Sequence, residues 1–116
     1  MDKVKPIIIH DKQYDKDYTI EFSREAVKFA ESRKFNIKEV DIFPMTKVPE
    51  LIWYGMMMHH PKVTLKQVED LVERMGGVNA ISKAAGQRLG ELWATPYGTL
   101  ADEEGDEKNA EVTVEL

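Results

Sequence analysis

The pattern of apolar and polar positions divides the first hundred residues into a β-hairpin followed by helices. Lys5 to His10 (KPIIIH) is a β-branched run bounded by Pro6 and Asp11, and it predicts a short strand. Asp11-Lys12-Gln13 supplies turn chemistry, because Asp hydrogen-bonds its own backbone two residues on. Tyr18, Ile20 and Phe22 then alternate with Thr19 and Glu21, the period of a half-buried strand. The two runs predict an antiparallel hairpin, with Tyr14 to Asp17 extending the second strand or widening the loop. A lone hairpin is marginal in water, so its apolar face needs helices to lie on.

The spacing then lengthens to that of helices. Ser23 is placed to cap a helix whose first turn holds Glu25, and Ala26, Val27, Phe29 and Ala30 give it an apolar face as far as about Lys34. Phe35 to Phe43 shows no regular period, and Phe35, Ile37, Val40 and Ile42 are expected to fill the gap between layers. Val48 to His59 is a central helix apolar on nearly every side, with Glu50 its one charge, Thr46 its expected cap and Pro49 in its first turn. No solvent face can be drawn on such a helix, which is then a core element, a contact surface, or both. Pro61 stops it.

Thr64-Leu65-Lys66-Gln67 is a capping box. Leu65, Val68, Leu71, Val72 and Met75 form the stripe of the helix it starts, and Gly76-Gly77 closes that helix. A last helix is expected from about Asn79 to Ala94 on the stripe Ile81, Ala84, Ala85, Leu89, Leu92 and Trp93, ended by Thr95-Pro96. From Leu100 onward the chain is acidic and poor in large apolar residues, which predicts a disordered tail, although Val112, Val114 and Leu116 alternate as a strand would. The expected fold is α+β: one domain over residues 1–98, an N-terminal β-hairpin packed on about four α-helices, and a flexible acidic C-terminal tail over 99–116.

Charge and composition narrow the partners. The 116 residues carry 16 basic and 21 acidic side chains, a net charge of -5, so the average field repels a phosphate backbone and no nucleic acid is expected. There is no cysteine, hence no disulfide framework and no thiolate metal site, and a reducing cytoplasm is the expected compartment. Pro6-Ile7-Ile8-Ile9 is shorter than a signal peptide's apolar core, and no run approaches the ~18 apolar residues of a membrane span, so no membrane is expected.

Candidate chemistry is sparse. His59-His60 invites a metal, but neighbours on a helix point ~100° apart, whereas shared ligation favours a spacing of three or four. A polar pair at a helix end, meeting the last carbonyls, is the simpler reading, and no metal or cofactor is expected. The run from Asp102 to Glu107 lacks the alternating oxygen ligands and closing glutamate of a calcium loop. No serine sits in a nucleophile elbow, and Gly76-Gly77-Val78 has no Lys-Ser/Thr after it, so no catalytic residues are assigned and no enzyme is expected. A helix-turn-helix across Glu73 to Leu89 would be a DNA-binding regulator, yet its recognition helix carries only Lys83 and Arg88 as cations.

Met56-Met57-Met58 is the remaining feature. Methionines fill irregular cores, but three in succession cannot share one inward face, so at least one belongs at a rim or a contact, where a flexible thioether adapts to varied apolar partners. Trp53 and Tyr54 beside them are residue types favoured in contact cores. Trp53, Tyr54, Met56, Met57 and Met58 are therefore the candidate partner-binding residues, with Leu51 and Ile52 assigned to the core.

The order of these elements resembles a known family. The hairpin PIIIHDKQYDKDYTIEF, the helix SREAVKFAES, the apolar helix ending MMHHPKVT and then LKQVEDLVERMGG are similar to the tail assembly chaperones of long-tailed phages and of prophages in Gram-positive bacteria, over about Val4 to Trp93. The resemblance implies a small cytoplasmic protein of the bacterial host cell, without catalytic residues. It would bind the hydrophobic tape measure protein, keep it soluble, and help bring tail tube protein around it. A homo-oligomer, or a self-associating minor tail structural protein, is the neighbouring expectation. The family also implies a longer frameshifted form; Glu107-Lys108-Asn109 is compatible with a slippery GAA AAA AAC, which the codons of the gene decide.

Overall fold

The computed structural model describes residues 4–97 and 112–115. Strands β1 (Ile7–Asp11) and β2 (Lys16–Ile20) pair antiparallel, with Ile7 opposite Ile20, Ile9 opposite Tyr18 and Asp11 opposite Lys16. The two-residue period of a strand puts Ile7, Ile9 and Asp11 on the buried face of β1. Their turn is built as the sequence suggests: Gln13 N–H donates to Asp11 Oδ1 at 3.1 Å, and Asp15 takes a left-handed φ of 50°. A third strand, β3 (Val112–Glu115), runs parallel to β1, with Ile7 opposite Val112, so the sheet order is β2-β1-β3. This is where Val112 and Val114 alternate. The rest of the expected acidic tail, including the Asp102 to Glu107 run and Glu107-Lys108-Asn109, lies outside the described residues.

Among the described residues, four α-helices follow the hairpin: α1 (Arg24–Ser32), α2 (Pro44–Met56), α3 (Leu65–Arg74) and α4 (Val78–Ala94). Ser23 caps α1 by accepting the Ala26 N–H at 3.1 Å. Both halves of the Thr64/Gln67 capping box open α3. Gly76 and Gly77, at φ of 102° and 97°, turn the chain from α3 directly into α4, in a backbone region nearly closed to residues with a Cβ.

Two expectations about the middle of the chain are corrected. The connector is not wholly irregular: Asn36 Oδ1 accepts the Lys38 N–H at 2.9 Å and starts a 3-10 turn over Ile37–Glu39. That turn leads into α2 one turn earlier than predicted. Pro44 takes the first helical position, the Phe43 carbonyl accepts from the Thr46 and Lys47 N–H groups at 3.2 and 2.9 Å, and Pro49 lies inside the helix. Thr46 is therefore not the cap. Proline at the first position needs no N–H, which is why Pro44 rather than Pro49 marks the start. Phe35 is buried, and Ile37 and Val40 pack on the core, but Ile42 is 65% exposed and fills no gap.

α2 is the hub. It touches α1, α3, α4, β2 and the 3-10 turn, and Val48, Leu51, Ile52, Tyr54 and Met56 are all buried. It approaches the sheet side closely: the Glu21 N–H donates to the Gly55 carbonyl at 2.8 Å, and a Cβ on Gly55 would stand 2.5 Å from Ile20 Cγ2. Trp53, Tyr54, Phe35, Trp93 and Phe22 form a continuous line of tilted and edge-on rings, with successive centroids 5.2–5.4 Å apart. Among the described residues, no helix is long and apolar enough to cross a membrane.

Candidate protein-contact surface

Of the five residues singled out, Trp53, Tyr54 and Met56 lie on α2, whereas Met57 caps it and Met58 follows, because the helix ends at Met56 rather than at the expected His59. Tyr54 and Met56 are 0% exposed and belong to the core, so they offer a partner no surface. Leu51 and Ile52 are buried, as assigned. Trp53 and Met57 are half-buried, and Met58 is 46% exposed. The helix does have an outward side, contrary to expectation: its first turn is exposed at Pro44, Met45 and Thr46, and Glu50, Trp53 and the C-cap Met57, spaced i+4, i+7 and i+11 from Thr46, continue it half-buried.

Tyr54 lies just behind that side and holds it in place. Its hydroxyl donates to Glu50 Oε2 at 2.9 Å and accepts from Arg33 Nε at 3.1 Å. Burial pushes the phenol above its ordinary pKa; the Arg33 hydrogen bond opposes that shift and Glu50 adds to it, so Tyr54 is a neutral structural donor. Lys47 completes the network, 3.6 Å from Glu50 and 3.5 Å from Glu39.

Trp53 is fixed from three sides. Its Nε1–H donates to the Val63 carbonyl at 3.0 Å, the Phe29 ring lies 6.3 Å away edge-on, and the Arg33 guanidinium stands 5.5 Å from its centroid. Arg33 also sits 5.7 Å from the Phe29 ring, and Phe29 is 41% exposed. Arg, Trp and Phe held together at a half-open surface are the residue types that anchor protein contacts.

A second apolar area was not foreseen. Ile42, Phe43 and Met45 are 65%, 54% and 76% exposed, at the start of α2. The sequence signal was the three large apolar residues around Pro44. A stretch without regular period, such as Phe35 to Phe43, reads as filler between layers, whereas here the chain packs Ile37 and Val40 and then leaves Ile42 and Phe43 in solvent before α2. Of the six large apolar side chains exposed among the described residues, four (Ile42, Phe43, Met45 and Met58) lie at the two ends of α2.

The histidines do not meet helix carbonyls with their rings. His59 Nε2 pairs with Glu21 Oε1 at 2.9 Å, and His60 Nε2 accepts the Thr19 N–H at 2.9 Å, so the pair clips the α2–α3 connection to β2. Among the described residues no three His, Asp or Glu side chains converge as a metal site would require. Arg88, one of the two cations on α4, is buried; its Nη1 donates to the Lys5 carbonyl at 3.1 Å and its Nε lies 3.2 Å from Glu91 Oε1. It is thereby withdrawn from the surface a recognition helix would present.

A family profile described as a domain of unknown function (DUF5055) matches residues 1–116. No curated protein and no solved structure matches the chain.

Proposed function

We propose that this chain, which belongs to the DUF5055 family of unknown function, is a non-catalytic protein-binding module that covers an apolar helical segment of a client, in the manner of a tail assembly chaperone acting on a tape measure protein. The observation that carries the reading is the exposure of Ile42, Phe43 and Met45 within four residues, at 65%, 54% and 76%. Scattered single apolar residues are ordinary on a surface, whereas three together at one helix end mark a contact. Phe29, Trp53, Met57 and Met58 supply a second apolar area toward the other end of α2, with Arg33 over two of its rings. Methionine at both ends suits a client whose apolar face varies in detail. The net charge of -5 keeps such a complex soluble.

The test is co-expression with a tape measure protein segment and capture of the complex. The Phe43→Glu, Met45→Glu double variant is expected to keep its circular dichroism spectrum and lose client capture by at least ~10-fold. Full capture by that folded variant overturns the reading. Gel filtration across concentrations distinguishes the self-associating alternative: there the same double variant would convert an oligomer to a monomer while no client is held by either protein.

A further inference from the structure

A trough runs between β2 and α3 and is closed at one end by the α2–α3 connection. It has two adjoining lobes of about 400 and 380 Å³ that share Lys16 and Gln67. Each is in the range of about 300–1,000 Å³ typical of ligand pockets. The first lobe is mainly apolar, with Pro61, Val63 and His60, on which Tyr18 packs with ring centroids 5.3 Å apart; the second sets Tyr14 and Tyr18 among Gln67, Asp70 and Arg74.

The charges around the trough are uneven. Its carboxylates are already engaged, Asp70 by Lys66 at 3.1 Å and the buried Asp11 by Arg74. Two cations are not: Lys16 and Lys62 make no ion pair among the described residues. Lys16 instead lies 5.2 Å from the Tyr18 centroid, and the Arg74 guanidinium lies 5.1 Å from that of Tyr14. In a chain of net charge -5, unpaired lysines facing one groove are a local reversal of field. Main-chain recognition is obstructed, because His60 occupies the Thr19 N–H and the Gly55 carbonyl occupies that of Glu21, so a partner cannot add a strand to β2 there. Recognition has to come from side chains.

We infer that this trough docks an acidic peptide segment of a partner protein, with its carboxylates on Lys16 and Lys62 and an apolar side chain between them on Tyr18, Pro61 and Val63. This contact uses none of the exposed apolar residues at the ends of α2 and does not rest on the reading given to them, although the Trp53 bond to the Val63 carbonyl joins the two regions. A nucleic acid strand is disfavoured, because only two free lysines face the trough and the overall field repels a long polyanion.

The probe is a fluorescein-labelled peptide, Glu-Glu-Leu-Glu-Glu-Leu-Glu-Glu, titrated with the full chain in fluorescence anisotropy. Binding is expected, weakening about tenfold between about 50 and 300 mM salt as the ion pairs are screened. Lys16→Glu with Lys62→Glu is expected to cost at least about tenfold in affinity at an unchanged melting temperature. A charge-matched control, Lys28→Glu with Lys83→Glu, should bind within about twofold of the parent chain. No binding of the peptide, equal loss in the control, or tighter binding of an eight-residue oligothymidylate than of the peptide each overturns the proposal.

Discussion

His60 shows how a single side chain can do work that its neighbours in sequence do not announce. It accepts the Thr19 N–H through Nε2, which requires the neutral ring, and burial, with His59 and Lys16 adding to it, holds its pKa below the usual 6.5. A histidine with a depressed pKa in the folded state contributes stability that is present above the unfolded value and lost as pH falls through the folded one. Unfolding free energy should therefore drop as the solution is taken from about pH 7 to about pH 5. His60→Gln keeps an acceptor for Thr19 without a titrating group, and urea melts should show a shallower decline over that interval. An unchanged slope would remove His60 from this role. Asp11 is the second such residue. It is fully buried, bound to Arg74 and to the Gln13 N–H, and its pairing partner comes from sixty-three positions away. Asp11→Ala should destabilise by about 3 kcal/mol, since it leaves a partly buried guanidinium uncompensated. A loss under about 1 kcal/mol, the size of an exposed pair, would mean that water replaces the carboxylate freely.

At the scale of elements, α2 shows a local preference overruled by packing. Glycine in a helix interior costs up to about 1 kcal/mol relative to alanine, so Gly55→Ala ought to help the isolated helix. In the folded chain the added methyl meets Ile20 at 2.5 Å and the Phe22 ring at 3.0 Å. The net effect should be destabilising by about 1–3 kcal/mol, the usual penalty of overpacking. Gly90 in α4 has nothing within 4 Å of the same position, and Gly90→Ala should stabilise by about 0.5–1 kcal/mol. Paired denaturation curves measure both; a stabilising Gly55→Ala would show that β2 and α2 are free to separate. The elements themselves were largely readable. The capping box, the Gly76-Gly77 turn and the stripes of α3 and α4 are local devices written in adjacent residues, and each stands where expected, with Ala84 the exposed exception in the α4 stripe. The start of α2 was not readable in this way, because two prolines, Pro44 and Pro49, both qualified for the first turn and the choice depended on how the preceding 3-10 turn enters the helix.

For the whole molecule the question is where an apolar helix shows itself. Met56 is 0% exposed and Met58 is 46% exposed, two residues apart in a run of identical side chains. Met56→Glu would bury a carboxylate in the core and should abolish the cooperative thermal transition, while Met58→Glu should melt within a few degrees of the parent chain. Similar melting temperatures for the two would refute the placement of the core around α2. Neighbouring methionines differ this much because α2 ends at Met56 among its packed neighbours, whereas Met58 lies past the C-cap Met57 in the turn that leaves the helix.

What the residue order by itself determined is a set of local decisions: an α+β chain, a hairpin leading the helices, the caps of α1 and α3, the Gly76-Gly77 turn, and an apolar central helix, though not where that helix starts or ends. Each is decided by residues within a turn or two of one another, where periodicity and backbone preference suffice. Only the tertiary structure decided which side of that helix faces outward, that Tyr54 and Met56 are core, that Ile42, Phe43 and Met45 stand in solvent, and that Asp11 and Arg88 are buried with their partners. Those outcomes depend on contacts between residues tens of positions apart, such as Thr19 with His60 and Asp11 with Arg74, and burial is a property of the packed elements together rather than of any one stretch of chain.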